Sequence, residues 1–435
     1  MIRVLTLAAA AALSLALPAT SFAADPAVPK LSEPGQNLPA SVFAARREAL
    51  MKAMGNEGVA VIFAEGSEDF TGFRQSSDFY YLTGVEEKGA VLVLAPKERT
   101  YKEFLYLPSR DPEAERWIGE RLPLGAELRA RYGFQKIYRG TPGGALVDLA
   151  SRSPILWQVM RPSGGEARPK DLELYSKVQS KVPGVSVKTL GYTLGKMRSK
   201  HDEAELAIMQ KSIRITEEGH RAAWSLVRPG ATEGAVRAEA ERVWRTADSR
   251  RPAYETIVGS GPNSTILHYP RSERVMQAGE LLLMDMGTEY AHYATDITRT
   301  LPVSGKFTPE QRKVYDVVLK AQAAAFALAK PGAYYEDLDA AARKVIDDAG
   351  YGDYFIHGLG HFVGLDVHDA GAYHDKLEPG MVLTLEPGVY IPGKNIGIRI
   401  EDEILITKDG ARYLTDGLPK TADDIEHWMA QHVKR

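Results

Sequence analysis

Cysteine is absent from the 435 residues, which excludes disulfides, thiolate metal sites and a cysteine nucleophile. Any metal must be held by His, Asp and Glu. Excess charge of either sign is also lacking: 54 Lys and Arg against 57 Asp and Glu leave a net charge of -3. That balance gives no case for nucleic acid or an anionic membrane surface as partner. Long apolar runs are scarce. The one candidate, "VLTLAAAAALSLAL" after Arg3, holds about 14 residues where a hydrocarbon core needs ~20. With small residues at Ser21 and Ala23 it reads as a cleavable secretory leader over 1–23, which predicts an exported protein, periplasmic or secreted, without stable membrane insertion. Histidine is sparse as well, and none of the ten falls between Ser41 and Val187.

After the leader comes a Pro-rich tether, 24–40. The length then predicts two domains, 41–194 and 195–435, each burying its own core. In the first, "SVFAARREALMKAM" has helical spacing, while "GVAVIFA", "GAVLVLAP" and "EFLYLP" read as strands of an α/β unit. It lacks chemistry of its own, and its expected part is structural or in oligomerisation. The second opens on an amphipathic helix from "SKHDEAELAIMQ" to just before Pro229-Gly230, with His220 read as a surface residue. Further helices are expected over "EGAVRAEAERVWRTADS", "TPEQRKVYDVVLKAQAAAFALA" and "YEDLDAAARKVIDDAG". Strands are expected over "GMVLTLEPGVYI", "GIRIEDEILIT" and "ARYLT".

Carboxylates sit where strands should be apolar. Asp285 ends "LLLMD", Asp296 lies in "ATDITRT", Glu386 interrupts "MVLTLEPGVYI", and Glu401 stands in "GIRIEDEILIT". A hairpin through "TEYAHY" could bring Asp285 and Asp296 to one side, with His292 on its exposed turn. Alternation sends Arg399, Glu401 and Glu403 to one face and Ile398, Ile400 and Ile404 to the other. Each acid alone is readily explained by an arginine partner, Arg399 beside Glu401 included. Four of them together fit a shared divalent site better, because unpaired buried carboxylates are very costly. Oxygen-rich ligation favours Mn²⁺ over a structural zinc, and four carboxylates balance two divalent ions. Three histidines gather in "HGLGHFVGLDVHD", at His357, His361 and His368. The glycines argue against a helix there, so the stretch is expected to be extended or looped. "GSG" at Gly259–Gly261 lacks a phosphate-loop context and reads as a turn. His374, His427 and His432 carry no assignable role.

The blocks "ETIVGSGPNSTILHY", "LLLMDMG", "ATDITRTLPVSGKF", "HGLGHFVGLDVHD", "VLTLEPGVY" and "GIRIEDEILIT" resemble, in order, those of the pita-bread metallopeptidases. The proline-specific branch, aminopeptidase P and prolidase, is the nearest match. "FRQSSDFYYLTGVEEKGAVLVL" and "SRDPEAERWIGERLP" resemble the aminopeptidase P N-terminal domain. The resemblance implies an α/β (α+β) fold, a creatinase/prolidase-like α/β domain followed by a pita-bread catalytic domain. It implies two metals, Mn²⁺ foremost with Co²⁺ or Zn²⁺ as alternatives, held by Asp285, Asp296, His361, Glu386 and Glu401. Asp296 and Glu401 would bridge. A metal-bridging hydroxide would attack the Xaa-Pro carbonyl of a proline-containing peptide, with Glu386 moving the proton and His268 and His368 stabilising the intermediate. His357, Tyr390 and Arg399 would border the substrate. A homodimer or homotetramer is implied. The alternatives are a prolidase restricted to Xaa-Pro dipeptides, with Arg399 reading the free carboxylate, and a non-catalytic peptide-binding protein of the same fold.

Overall fold

The computed structural model describes residues 38–159 and 168–433. The expected leader and most of the expected tether lie outside the described residues. Of the described residues, the segment Arg110–Pro123 falls in one of two compact units. Its helix Pro112–Ile118 is capped by Asp111, whose carboxylate accepts the Glu113 and Ala114 N–H groups. The rest of the described chain belongs to a second compact unit, Gly35–Ser109 with Leu124–Arg435.

Within that unit the N-terminal region is a six-stranded mixed sheet behind the helix Ala40–Ala53. Strand Val59–Phe63 is central, antiparallel to Val91–Leu94 and parallel to Ile155–Gln158. Glu103–Leu107 and Ile137–Arg139 extend one edge, and Ser186–Thr189 closes the other. The three strands expected from sequence are all present. The apolar runs of Val59–Phe63 and Val91–Leu94 are explained by burial on both faces, the environment in which strands lose their polar alternation. Glu103–Leu107 instead buries Leu105 and Leu107 and leaves its other residues half-buried. Helix Gly191–Arg198 runs across position 194/195, and the long helix Glu203–Trp224 starts behind a reciprocal cap between Asp202 and Glu205.

The C-terminal region repeats one plan twice. Helices Glu203–Trp224 and Glu233–Thr246 precede strands Ile257–Ser260, Leu281–Asp285 and Thr298–Pro302. Helices Pro309–Leu328 and Tyr335–Asp348 then precede Val382–Leu385, Asp402–Ile406 and Ala411–Tyr413. One continuous core joins both halves, with Trp224, Met284, Leu301, Tyr315, Leu383 and Ile404 all essentially inaccessible. Each fully buried side chain of this kind contributes about 1.5–3 kcal/mol.

Three expectations are corrected here. His220 is not on the surface. It is fully buried, with Nε2 at 2.9 Å from the Met286 carbonyl and its ring edge-on to Trp224, and burial pushes its pKa down to about 3. The strand segments beside Asp285 and Asp296 cover the helix face that its charged neighbours made look solvated. His292 is not exposed either. It stacks on Tyr80 with ring centroids 3.8 Å apart and lies 3.2 Å from Glu86, so the N-terminal domain covers the turn. Nor is Gly259–Gly261 a simple turn: Ser260 ends a strand and Gly261 starts a 3₁₀ helix, Gly261–Thr265.

Candidate metal centre and substrate cleft

The expected long strands are each interrupted once, and the interruptions make the site. Leu385 pairs with Asp402 and Gly388 with Arg399, leaving Glu386-Pro387 and Ile400-Glu401 facing each other outside the ladder. Pro387 offers no N–H to a ladder, so the strand must break there. The first half has the same device. Asp285 pairs with Thr298 and Glu289 with Ala294, and Asp296 stands in the gap between. Gly287 allows the close crossing, since a Cβ there would lie 1.7 Å from the Thr295 carbonyl oxygen. The alternation nevertheless survives the break. Arg399, Glu401 and Glu403 all reach the site, while Asp402 turns away to Arg299.

The stretch 357–369 holds neither helix nor strand beyond a bridge from Phe362 to Leu383, as its glycines predict. His361 Nε2 lies 3.4 Å from Asp296 Oδ2 and 3.2 Å from Glu386 Oε1. Its Nδ1 faces the Phe362 carbonyl at 3.1 Å, which can only accept, so Nδ1 carries a proton and Nε2 is aimed at the acids. Asp296, His361 and Glu401 each offer a ligand atom within 4.8 Å of one another. Arg399 binds Asp285 directly, so its ion-pair partner is Asp285 rather than Glu401. The same guanidinium donates to Thr298 Oγ1 at 3.1 Å, and Thr298 in turn donates to Glu401 at 2.6 Å.

Sequence reasoning missed Tyr254. Its hydroxyl lies 2.5 Å from both Asp285 Oδ1 and Asp296 Oδ1, and no local pattern in "PAYETI" announces this. Glu403 was placed on the right face without a role. It accepts the Asp296 N–H at 2.8 Å, while its other oxygen is buried and unpartnered.

These acids strain against one another. Burial pushes the Asp285 carboxyl up to about 7 despite the Arg399 guanidinium, and Glu403 up to about 8. Burial, then the Asp296 carboxylate, raises Glu401 well above the carboxylate range. Burial opposes ionisation of Asp296 too, but hydrogen bonds from His361 and Tyr254 hold it low. For His361 burial is outweighed by the Asp296 and Glu386 carboxylates, which raise it well above its ordinary value.

A cavity of about 740 Å³ opens onto this cluster, lined by Tyr254, Asp285, Asp296, His361, Glu386 and Arg399 together with His268, His357 and His368. His357 Nδ1 donates to the Gly358 carbonyl at 2.8 Å, so the neutral ring accepts the Tyr390 O–H at Nε2, 2.9 Å away. Arg399 donates to the Tyr390 oxygen at 2.7 Å, completing a chain from Arg399 through Tyr390 to His357. His374, His427 and His432 stand outside the cavity lining.

A model of metallopeptidase family M24 matches residues 207–408, and one of the aminopeptidase P N-terminal domain matches residues 43–142. The chain is 35% identical over 438 residues to the Xaa-Pro aminopeptidase of Escherichia coli, covering 90% of this chain and 98% of that one. It belongs to metallopeptidase family M24, in the aminopeptidase P branch. Zinc-substituted Escherichia coli aminopeptidase P in complex with product superposes with a TM-score of 0.83 at 32% identity, over 92% of this chain and 100% of that chain. Likeness to the Xaa-Pro dipeptidase of Pyrococcus furiosus is 42% over 215 residues, covering 48% of this chain and 61% of that protein. The mixed α/β architecture, with its N-terminal domain ahead of a pita-bread domain, is thus that of an M24 metallopeptidase.

The donor set of this M24 member fits a cation. Glu401 Oε1 and Glu403 Oε2 are buried without a hydrogen-bond partner, and His361 turns Nε2 toward Asp296 and Glu386, where loss of its proton would leave a ligand lone pair. The unusually high carboxyl pKa values mark a place where negative charge awaits compensation.

Proposed function

We propose that this M24 enzyme is an exported dinuclear aminopeptidase that hydrolyses the bond between the first residue and a following proline. The observation that carries the reading is the convergence of Asp285, Asp296, His361 and Glu386 on one cavity with three further histidines, with Glu401 grouped behind them beside Asp296 and His361. Asp285, Asp296, His361, Glu386 and Glu401 would hold two divalent ions, Mn²⁺ foremost given the oxygen-rich donors. When bound, such ions lower the pKa of water toward ~7 and polarise the scissile carbonyl.

The protein groups divide the remaining work. Glu386, at the rim of the cluster, accepts the proton of the attacking water and delivers it to the leaving proline nitrogen. His268 and His368 donate hydrogen bonds to the oxygen that becomes negative, contacts worth about 3–4 kcal/mol in oxyanion holes. The Arg399–Tyr390–His357 chain fixes the cavity wall in one tautomeric arrangement, with His357 kept neutral by burial. A dedicated cleft suits proline, whose missing N–H defeats recognition by strand pairing.

The dipeptidase alternative needs a cation free to receive the proline carboxylate. Among the described residues lining the cavity, Arg399 is the one Lys or Arg, and it is 3% exposed and committed to Asp285 and Tyr390. That favours longer peptides. Comparing Xaa-Pro with Xaa-Pro-Yaa-Zaa in the presence of Mn²⁺ tests the choice. Faster turnover of the tetrapeptide is expected, and activity on the dipeptide alone would reverse it. Export rests on the leader pattern of 1–23, and no described helix is long and apolar enough to cross a membrane. Mass spectrometry of protein recovered outside the cytoplasm should find Ala24 at the N-terminus. A homodimer or homotetramer is proposed as the working assembly, to be read by light scattering.

A further inference from the structure

We infer that Arg198 and Arg74, neither of them in the cavity wall, position His368 by clamping the loop that carries it. The inference rests on the reading that His368 acts on the reacting peptide. Val363 and Gly364 are tied by backbone bonds to Val382 and Ala294, but from there to Asp369 no neighbouring strand holds the backbone, so something else must fix the imidazole. The loop supplies two carboxylates for this, Asp366 two residues before His368 and Asp369 directly after it.

Asp369 closes the loop from within. Its N–H donates to the Phe362 carbonyl at 2.8 Å, and its carboxylate accepts the Leu365 N–H at 2.9 Å. Arg198, at the end of helix Gly191–Arg198, grips the loop from outside. One of its terminal nitrogens serves both Asp369 and Asp366, the latter at 2.8 Å, and the other reaches Asp78 at 2.6 Å. Arg74 makes the second grip, donating to the Leu365 carbonyl and, at 3.2 Å, to Asp366. Ser77 donates to the same carboxylate at 2.7 Å. Arg74 is itself fixed by Glu289 at 2.5 Å.

Arg74, Ser77 and Asp78 all come from "FRQSSDF" of the N-terminal domain. That stretch therefore reaches the catalytic loop, and the domain without a histidine takes part in placing one. The planar guanidinium matters, because each arginine reaches separate partners through nitrogens held in a fixed geometry, which sets direction as well as distance. A catalytic donor displaced by about 1 Å loses on the order of 100-fold in rate.

The test is a double-mutant cycle on the full-length, metal-loaded enzyme. Asp366 is the gentlest point of entry, since its side chain is 38% exposed. Asp366→Asn should lower kcat by about 10- to 100-fold, with KM and metal content within about threefold of the parent. In a His368→Ala background the same change should alter kcat by less than about twofold, because the group being positioned is gone. Arg74→Lys, which keeps the charge and loses the planar set of donors, should repeat both results, and it carries the test if Asp366→Asn does not fold. Losses that multiply in the double variants, or full kcat in both single variants, would overturn the clamp. A fully active His368→Ala enzyme would instead remove the role of His368 on which the clamp depends.

Discussion

Metal affinity should fall steeply as pH drops from 7 to 5, because the site must shed protons before it can receive cations. Asp285 supplies the scale. Its carboxyl, ordinarily near 3.8, is pushed up to about 7, so at pH 5 it is almost wholly protonated. A bound cation needs the carboxylate, and each pH unit below 7 costs a factor of ten, or about 1.36 kcal/mol. Two units cost about 100-fold, roughly 2.7 kcal/mol, from this one residue. Burial and the neighbouring Asp296 carboxylate raise Glu401 well above the carboxylate range too, and the proton on His361 must leave as well. The slope of log Kd against pH is therefore expected between one and three. Competition of the metal-stripped protein with a chelator of known pH dependence would measure it at pH 5, 6 and 7. Calorimetry in two buffers would count the protons released. A Kd for Mn²⁺ constant within about threefold over that range would refute the reasoning.

The same shifts fix a sign for stability. A raised carboxyl pKa means that the folded, metal-free protein holds a proton the unfolded chain has lost. For Asp285 this stabilisation is present near pH 4 and disappears as pH rises through about 7. His220 acts oppositely: depressed to about 3, it destabilises the fold below the ordinary histidine range and ceases to do so above it. The raw pH profile mixes the two. The difference in Tm between metal-loaded and metal-stripped protein isolates the site, and it should widen from pH 5 to pH 7.

Tyr254→Phe removes a hydroxyl shared by two carboxylates, a charge-assisted bond of about 1.5–3 kcal/mol, and should weaken Mn²⁺ binding 10- to 100-fold by the same competition assay. His220→Ala should cost about 2–4 kcal/mol in urea denaturation, from a lost ring and a lost carbonyl partner; a change within ±0.5 kcal/mol would return it to the surface. His361→Ala should lose metal and activity together, whereas His368→Ala should keep its metal and lose chiefly kcat; the reverse pattern in elemental analysis and kinetics would exchange their roles.

What was legible in the sequence was whatever violated a local rule. Asp285 at the end of "LLLMD" and Glu401 between isoleucines stood out because a strand core rejects lone carboxylates, and both reach the site. Alternation placed Arg399, Glu401 and Glu403 together even though the strand between them is broken. What obeyed local rules stayed hidden. Tyr254 looks ordinary until residues 31 and 42 positions away meet its hydroxyl. His220 sits among Glu217, Glu218 and Arg221, a surface signature, yet its own face is covered by Met286. His292 occupies a turn with positive φ at both Ala291 and His292, the mark of a solvent-facing hairpin, but Tyr80 arrives from the other domain to cover it. Periodicity sees neighbours along the chain, and these outcomes depend on partners far from it.

The interrupted ladders explain how one fold can store so much negative charge. A continuous strand would satisfy its own backbone and leave the carboxylates as intruders in an apolar sheet. In the gaps the backbone groups are free to bind elsewhere: Asp296 N–H to Glu403, Glu386 N–H to the Leu359 carbonyl, Glu401 N–H to the Thr298 carbonyl. Each acid is thereby anchored through its main chain, and its carboxylate remains available. On either side of the gaps, pairs such as Leu383 with Ile404 and Leu283 with Thr300 are buried and regular, and they hold the openings at fixed width. Arg399 and His361 already supply two internal positive charges. The metal-stripped protein is therefore expected to stay folded, unlike a zinc finger, where binding and folding are one event. Loading such a site exchanges protons for cations inside a frame that apolar pairing has already set.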